Sequence, residues 1–79
     1  MQLKEIIEYL VKALVDDTDS VEVREIQGEQ SSVFELRVSE ADMGKVIGKR
    51  GQNAEALRTI LGAAAAKHRK RVFLDVIDR

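Results

Sequence analysis

With 79 residues and no cysteine, the chain has room for one small domain and nothing with which to build disulfides or a thiolate metal site. No apolar run approaches the ~20 residues that span a bilayer. Acidic Glu5 and Glu8 stand where a secretory leader would be basic, so a cytoplasmic protein is expected. The formal net charge of −1 argues against indiscriminate polyanion binding, yet residues 1–42 carry four bases and eleven acids, while residues 43–79 carry nine bases and three acids. If the second half presents one face, a polyanion is steered onto that face and kept off the rest.

Leu3, Ile6, Ile7, Leu10, Val11, Leu14 and Val15 follow the i, i+3, i+4 series of one helical face and predict an amphipathic helix over about residues 2–15. Lys4, Glu5, Glu8 and Lys12 occupy the opposite face, with Tyr9 beside them as a partly buried edge residue. Asp16-Asp17-Thr18-Asp19-Ser20 favours turn over helix and lacks the glycine and distal glutamate of a calcium loop, so it reads as solvated. Val21, Val23 and Ile26 suggest a strand whose alternation slips once, as at a bulge. After the glycine-containing turn Gln27 to Ser31, Phe34, Leu36 and Val38 alternate with Glu35 and Arg37, completing a hairpin with one buried face. Ser39 as N-cap and Asp42 three residues on predict a second helix from about Glu40.

That helix stops at Gly48-Lys49-Arg50-Gly51, two glycines enclosing two cations. The gap before the next periodic run is too short for anything but a tight turn. Glycines permit positive φ and close approach of another backbone, and the amides that open the following helix carry partial positive charge, a local arrangement suited to phosphate. A third helix is expected from about Gln52 to His68, with Leu57, Leu61, Ala64 and Ala65 at helical spacing. Its run Gly62 to Ala66 is read as close packing, part of it available to a subunit contact. The basic run Lys67-His68-Arg69-Lys70-Arg71 follows; there His68, the single histidine, has no ligand partner. Val72 to Ile77 is apolar at nearly every position, as for a strand covered on both faces, and reaches the strand ending at Val38 through two helices, which predicts parallel pairing.

The deduced order α-β-β-α-α-β, and the G-x-x-G turn preceded by Val46-Ile47, resemble the type II, or prokaryotic, KH domain over nearly the whole chain. The resemblance implies an α+β fold in which one KH domain, residues 1–79, covers a three-stranded mixed sheet with three helices. It implies binding of single-stranded RNA without strong sequence preference, the G-x-x-G loop clamping the backbone of about four nucleotides. Gly48, Lys49, Arg50 and Gly51 would form the clamp, Ile47 would line the apolar groove that receives bases, and Gln52 and Asn53 would reach phosphate or sugar. Lys45, Lys67, Arg69, Lys70 and Arg71 would add secondary contacts. Ala54 stands where the family places a larger aliphatic, which implies a shallower groove or a closer helix contact, and Leu57 matches a later aliphatic position. The resemblance also implies a homodimer, or pairing with a larger KH-containing protein, and a role as an RNA chaperone or post-transcriptional regulator, linked in some bacteria to cell shape and cell wall biogenesis.

Two other classes compete for the same residues. Two helices joined by a short glycine turn also suit a DNA-binding helix-turn-helix protein, although Ala54, Glu55, Ala56 and the alanine run give a reading helix little to read with. Gly44 to Lys49 resembles a phosphate-binding P-loop, but its glycines are one residue too close and Arg50 replaces the magnesium-holding hydroxyl. No nucleophile and base pair is visible, so neither an enzyme nor a cofactor is expected.

Overall fold

A computed structural model describes residues 2–77. The first helix, α1 (Leu3–Leu14), opens with Glu5 Oε1 accepting the Gln2 backbone N–H at 2.9 Å, which satisfies a donor the helix itself cannot. Its inward face carries Ile7 and Val11, both fully buried. Tyr9 is not the half-buried edge residue expected: it is 73% exposed, because it lies off the face of α1 that carries Ile7 and Val11 into the core.

Strands β1 (Glu22–Gln27) and β2 (Ser31–Arg37) form the expected antiparallel hairpin. Their register runs without interruption from Glu22 opposite Arg37 to Gln27 opposite Ser32, so there is no bulge. The apparent slip has a simpler cause: Val23 faces the core, and Ile26, three residues later, necessarily faces the other side. β2 is the centre of the sheet and alternates cleanly, burying Ser32, Phe34 and Leu36.

Helices α2 (Met43–Ile47) and α3 (Gln52–Ala66) then cross to β3 (Arg71–Val76), which pairs parallel with β2 in the order β1-β2-β3. The core consists of Ile7, Val11, Val15, Val23, Phe34, Leu36, Val38, Val46, Leu57, Leu61 and Leu74, contributed by all three helices, all three strands, and the residues that follow α1 and β2. All of this apolar contact lies on one side of the sheet. The expectation that β3 is covered on both faces therefore fails: Leu74 is buried, but Phe73 is 50% exposed on the opposite side. Helix α3 also ends two residues earlier than its periodicity suggested, where Arg69 takes a left-handed conformation (φ 55°) and Lys70 N–H returns to the Ala65 carbonyl at 3.2 Å.

Before α2 the chain makes a 3-10 turn at Glu40–Asp42 instead of entering the helix directly. The reason is Asp42. Its carboxylate, 2% exposed, accepts backbone N–H groups of Asp17 at 3.0 Å and Asp16 at 3.3 Å, the Ser39 hydroxyl at 3.0 Å and the Lys45 ammonium at 3.2 Å. Ser39 thus donates to Asp42 instead of capping a helix. The acidic loop after α1, read from sequence as simply solvated, is tied through its backbone to the start of α2.

Those donors, the Asp17 N–H foremost, lower the Asp42 pKa from 3.8 to about 2 against the opposing effect of burial. A carboxyl more acidic in the folded chain than in the unfolded one stabilises the fold fully above pH ~4, and that contribution is lost as pH falls through about 2. Asp42→Asn removes it, so the variant is less stable at neutral pH and its denaturation midpoint converges on the wild-type value between about pH 4 and pH 2. Urea melts across that range test this; a constant gap would show that the carboxylate charge is irrelevant.

Candidate nucleic-acid interface

The turn between α2 and α3 is built by backbone dihedrals that the sequence supplies at each position. Gly48 has φ 75° and ψ 174°, a region essentially confined to glycine. A Cβ there would lie 2.7 Å from Asn53 Cγ and 2.9 Å from the Asn53 backbone nitrogen. Gly51 is left-handed (φ 75°, ψ 13°) but faces open space. Arg50, between them, is left-handed as well (φ 56°, ψ 27°), a conformation that costs a non-glycine residue about 1–2 kcal/mol.

A right-handed residue followed by a left-handed one turns successive N–H groups toward a common point, a concavity suited to an anion. Among the described residues the amides of Lys49 and Arg50 have no backbone acceptor, whereas Gly51 N–H bonds the Gly48 carbonyl at 3.1 Å and the Gln52 amide returns to Lys49. The side chains of Lys49, Arg50 and Gln52 are exposed. Ile47, immediately before the turn, is 38% exposed, an apolar surface beside two cations and two free amides.

Not every residue assigned from sequence stands with this group. Asn53 is half-buried and its Nδ2 donates to the Lys45 carbonyl at 2.8 Å, tying the start of α3 to the end of α2. Lys45 bonds Asp16 and Asp42, which raise its pKa in that order, so its charge is neutralised locally. Ala54 is buried, 5% exposed. The run Lys67 to Arg71 begins at the other end of α3, about 22 Å from the turn at 1.5 Å per residue. Arg71 lies over the Phe73 ring at 5.8 Å on the helix-free side of the sheet. The basic half of the sequence is therefore not one basic face.

Arg58 was not singled out from sequence. It is exposed on α3 and its Nε donates to the Leu74 carbonyl at 3.2 Å, placing a guanidinium between the helix and the open edge of β3. The signal available was that it is the single cation between Gly51 and Lys67. The helix-turn-helix reading fares poorly. The helix after the turn buries Ala54, Leu57, Leu61 and Ala65, and its exposed positions include Glu55, Ala56, Thr59, Ile60 and Ala63.

Element order, mixed sheet and glycine turn together define a type II KH domain. The family model for the KH domain of KhpA and KhpB matches residues 4–76, and the chain belongs to that family, which is not one of enzymes. It is 54% identical over 74 residues to the RNA-binding protein KhpA of Borreliella burgdorferi, covering 94% of this chain and 90% of that one. The Aquifex aeolicus RNA-binding protein KhpA is 54% identical over 76 residues, covering 96% of both chains. That of Chlamydia trachomatis is 38% identical over 76 residues, covering 96% of this chain and 97% of that one. No solved structure matches the chain.

The two glycines are not equivalent. Gly48→Ala meets both the dihedral penalty and the Asn53 backbone and should destabilise the fold by roughly 1–3 kcal/mol. Gly51→Asn, in open space and in a conformation asparagine tolerates, should cost less than about 1 kcal/mol. Chemical denaturation of the two variants checks the ranking.

Proposed function

We propose that residues 1–79 act as a single KH domain that binds single-stranded RNA with little sequence preference, the Gly48 to Gly51 turn holding the sugar-phosphate backbone. The observation that carries this is the turn itself: two unpaired amides and two exposed cations converge beside the exposed Ile47, on a backbone that only glycine at position 48 permits. In this reading the amides of Lys49 and Arg50 and their side chains neutralise phosphates, Ile47 supports a base, Gln52 reaches sugar or phosphate, and Asn53 keeps the turn in shape. Arg58 and the edge of β3 stand where a base could be hydrogen-bonded. Of the distal cations, Lys67, Arg69 and Lys70 serve a longer strand, while Lys45 contributes least.

One domain touching about four nucleotides binds weakly, so useful affinity requires several domains acting together. The exposed face of α3 offers small residues, Ala56 and Ala63, around Ile60, which is 45% exposed. This surface suits a homodimer or a heterodimer with a larger KH-containing partner of the KhpB kind. Such an assembly fits a cytoplasmic RNA chaperone or post-transcriptional regulator, with the family's links to cell shape and cell wall biogenesis as its setting. Among the described residues no helix is long and apolar enough to cross a membrane.

The double substitution Lys49→Asp and Arg50→Asp tests the turn. Both side chains are exposed, so circular dichroism and melting temperature should move little, while binding to a short single-stranded RNA should collapse. If the two cations neutralise about two phosphates, they contribute about −1.4 to the log-log salt slope, and that share should vanish. Unchanged affinity and slope would remove the turn from the interface. In a parallel competition, a single-stranded oligonucleotide should displace bound RNA better than a duplex of equal length; preference for the duplex would restore the helix-turn-helix reading.

A further inference from the structure

β3 is an edge strand, joined to the sheet by β2 alone. Arg71 N–H bonds the Gln30 carbonyl at 3.0 Å and Ile77 N–H bonds the Leu36 carbonyl at 2.9 Å, so the odd-numbered residues of β3 turn their backbone groups toward β2. The even-numbered residues, Val72, Leu74 and Val76, turn theirs away from it.

An outward N–H and C=O on one residue set a donor beside an acceptor. The Watson–Crick edge of every base also carries a donor beside an acceptor, so an open strand edge of this kind receives all four bases. At Leu74 the edge is not open. Arg58 Nε takes the Leu74 carbonyl at 3.2 Å and Leu74 is 5% exposed, so what meets solvent there is the exposed guanidinium. A guanidinium has donors and no acceptor. Among the described residues Arg58 makes no ion pair and no other hydrogen bond, which leaves its terminal nitrogens without a partner. Its neighbours four residues before and after on α3 are Ala54 and Gly62, and a Cβ at Gly62 would meet nothing within 4 Å. There is room beside the guanidinium for a flat ring.

We infer that Arg58 makes the chain selective at one position of the RNA, for a base that presents two adjacent acceptors: guanine through O6 and N7, or cytosine through O2 and N3. Adenine sets its amino donor beside both N1 and N7, and uracil separates its two carbonyls with an N–H, so neither offers the pair. The inference rests on the proposed role of the Gly48 to Gly51 turn as the backbone clamp. Arg58 lies about 9 Å beyond Gln52 along α3, close enough to read a base of the RNA whose phosphates the turn holds.

Fluorescence anisotropy of the full chain tests this with four RNA octamers: all uridine, or uridine with one central guanosine, cytidine or adenosine. An octamer exceeds the site of about four nucleotides and can slide until the single base meets Arg58. The guanosine octamer, the cytidine octamer or both should bind about tenfold tighter than the other two, the tighter naming the acceptor pair. The log-log salt slope should be the same for all four, because a base contact releases no counterion. Arg58→Ala, at an exposed helical position that alanine favours, should keep the circular dichroism of wild type and bind all four octamers as wild type binds all-uridine RNA. Equal affinities of the wild-type chain for the four octamers, with binding still lost in the Lys49→Asp and Arg50→Asp double variant, overturn the inference and leave the clamp standing. An Arg58→Ala chain that weakens on all four alike and loses about 0.7 from its salt slope overturns it too, making Arg58 a phosphate contact. Binding retained by the double variant overturns the clamp and this inference with it.

Discussion

The turn depends on one close approach, that of the Gly48 backbone to Asn53. The absent Cβ leaves the space that the Asn53 side chain fills, and Asn53 uses that position to bond the Lys45 carbonyl at 2.8 Å. A single packing event thus ends α2, starts α3 and fixes the angle between them. The exposed cations and free amides of Lys49 and Arg50 owe their direction to it. The strain at Arg50 persists because both flanking residues are held. Within four positions the roles are divided by residue: glycine shapes the turn, and the two residues between the glycines are free to face solvent.

A second tie comes from the other end of α2. Five residues make a helix too short to stand alone, and nothing in its propensity explains why it should hold its place. Val46 anchors it in the core, and Asp42 anchors its N-terminal side to the backbone of Asp16 and Asp17, more than twenty residues earlier. The short helix is thus gripped at both ends, by a carboxylate and by an asparagine amide. Lys45, lying between them, is held by Asp16 and Asp42 and serves the scaffold more than the surface.

Much of this was legible in the sequence, and the exceptions have physical causes. Periodicity of 3.6 and 2 located α1, β2 and α3, because each buries one face against a single core, and the two-helix crossover fixed the parallel pairing of β3. The G-x-x-G turn was legible because its two glycines fill a gap between two helical patterns that is too short for anything but a tight turn. What escaped was every feature that depends on which elements share a surface. Val72 to Ile77 reads as doubly buried, yet its outward side chains lie on an uncovered face; a run of apolar residues does not say how many of its sides are sheltered. Tyr9 and Ile26 were misplaced for the same reason. Asp42 was visible as a helix-cap residue, but its partners, Asp16 and Asp17, lie too far away in sequence for any local pattern to connect them. Arg58 passed unnoticed because the carbonyl it meets, that of Leu74, belongs to the backbone and leaves no trace in residue identity.

The register of the sheet carries a kinetic consequence. β1 meets β2 across a three-residue connection, whereas Ser31 meets Arg71 and Leu36 meets Val76 only after some forty residues have been looped back. Closing a loop of that length carries an entropy cost that the hairpin does not, so the hairpin forms first and the docking of β3 comes late. Until β3 arrives, Leu74 is missing from the core and Arg58 has no carbonyl to hold. The strand that gives the sheet its mixed character is also the one on which cooperative closure of the domain waits.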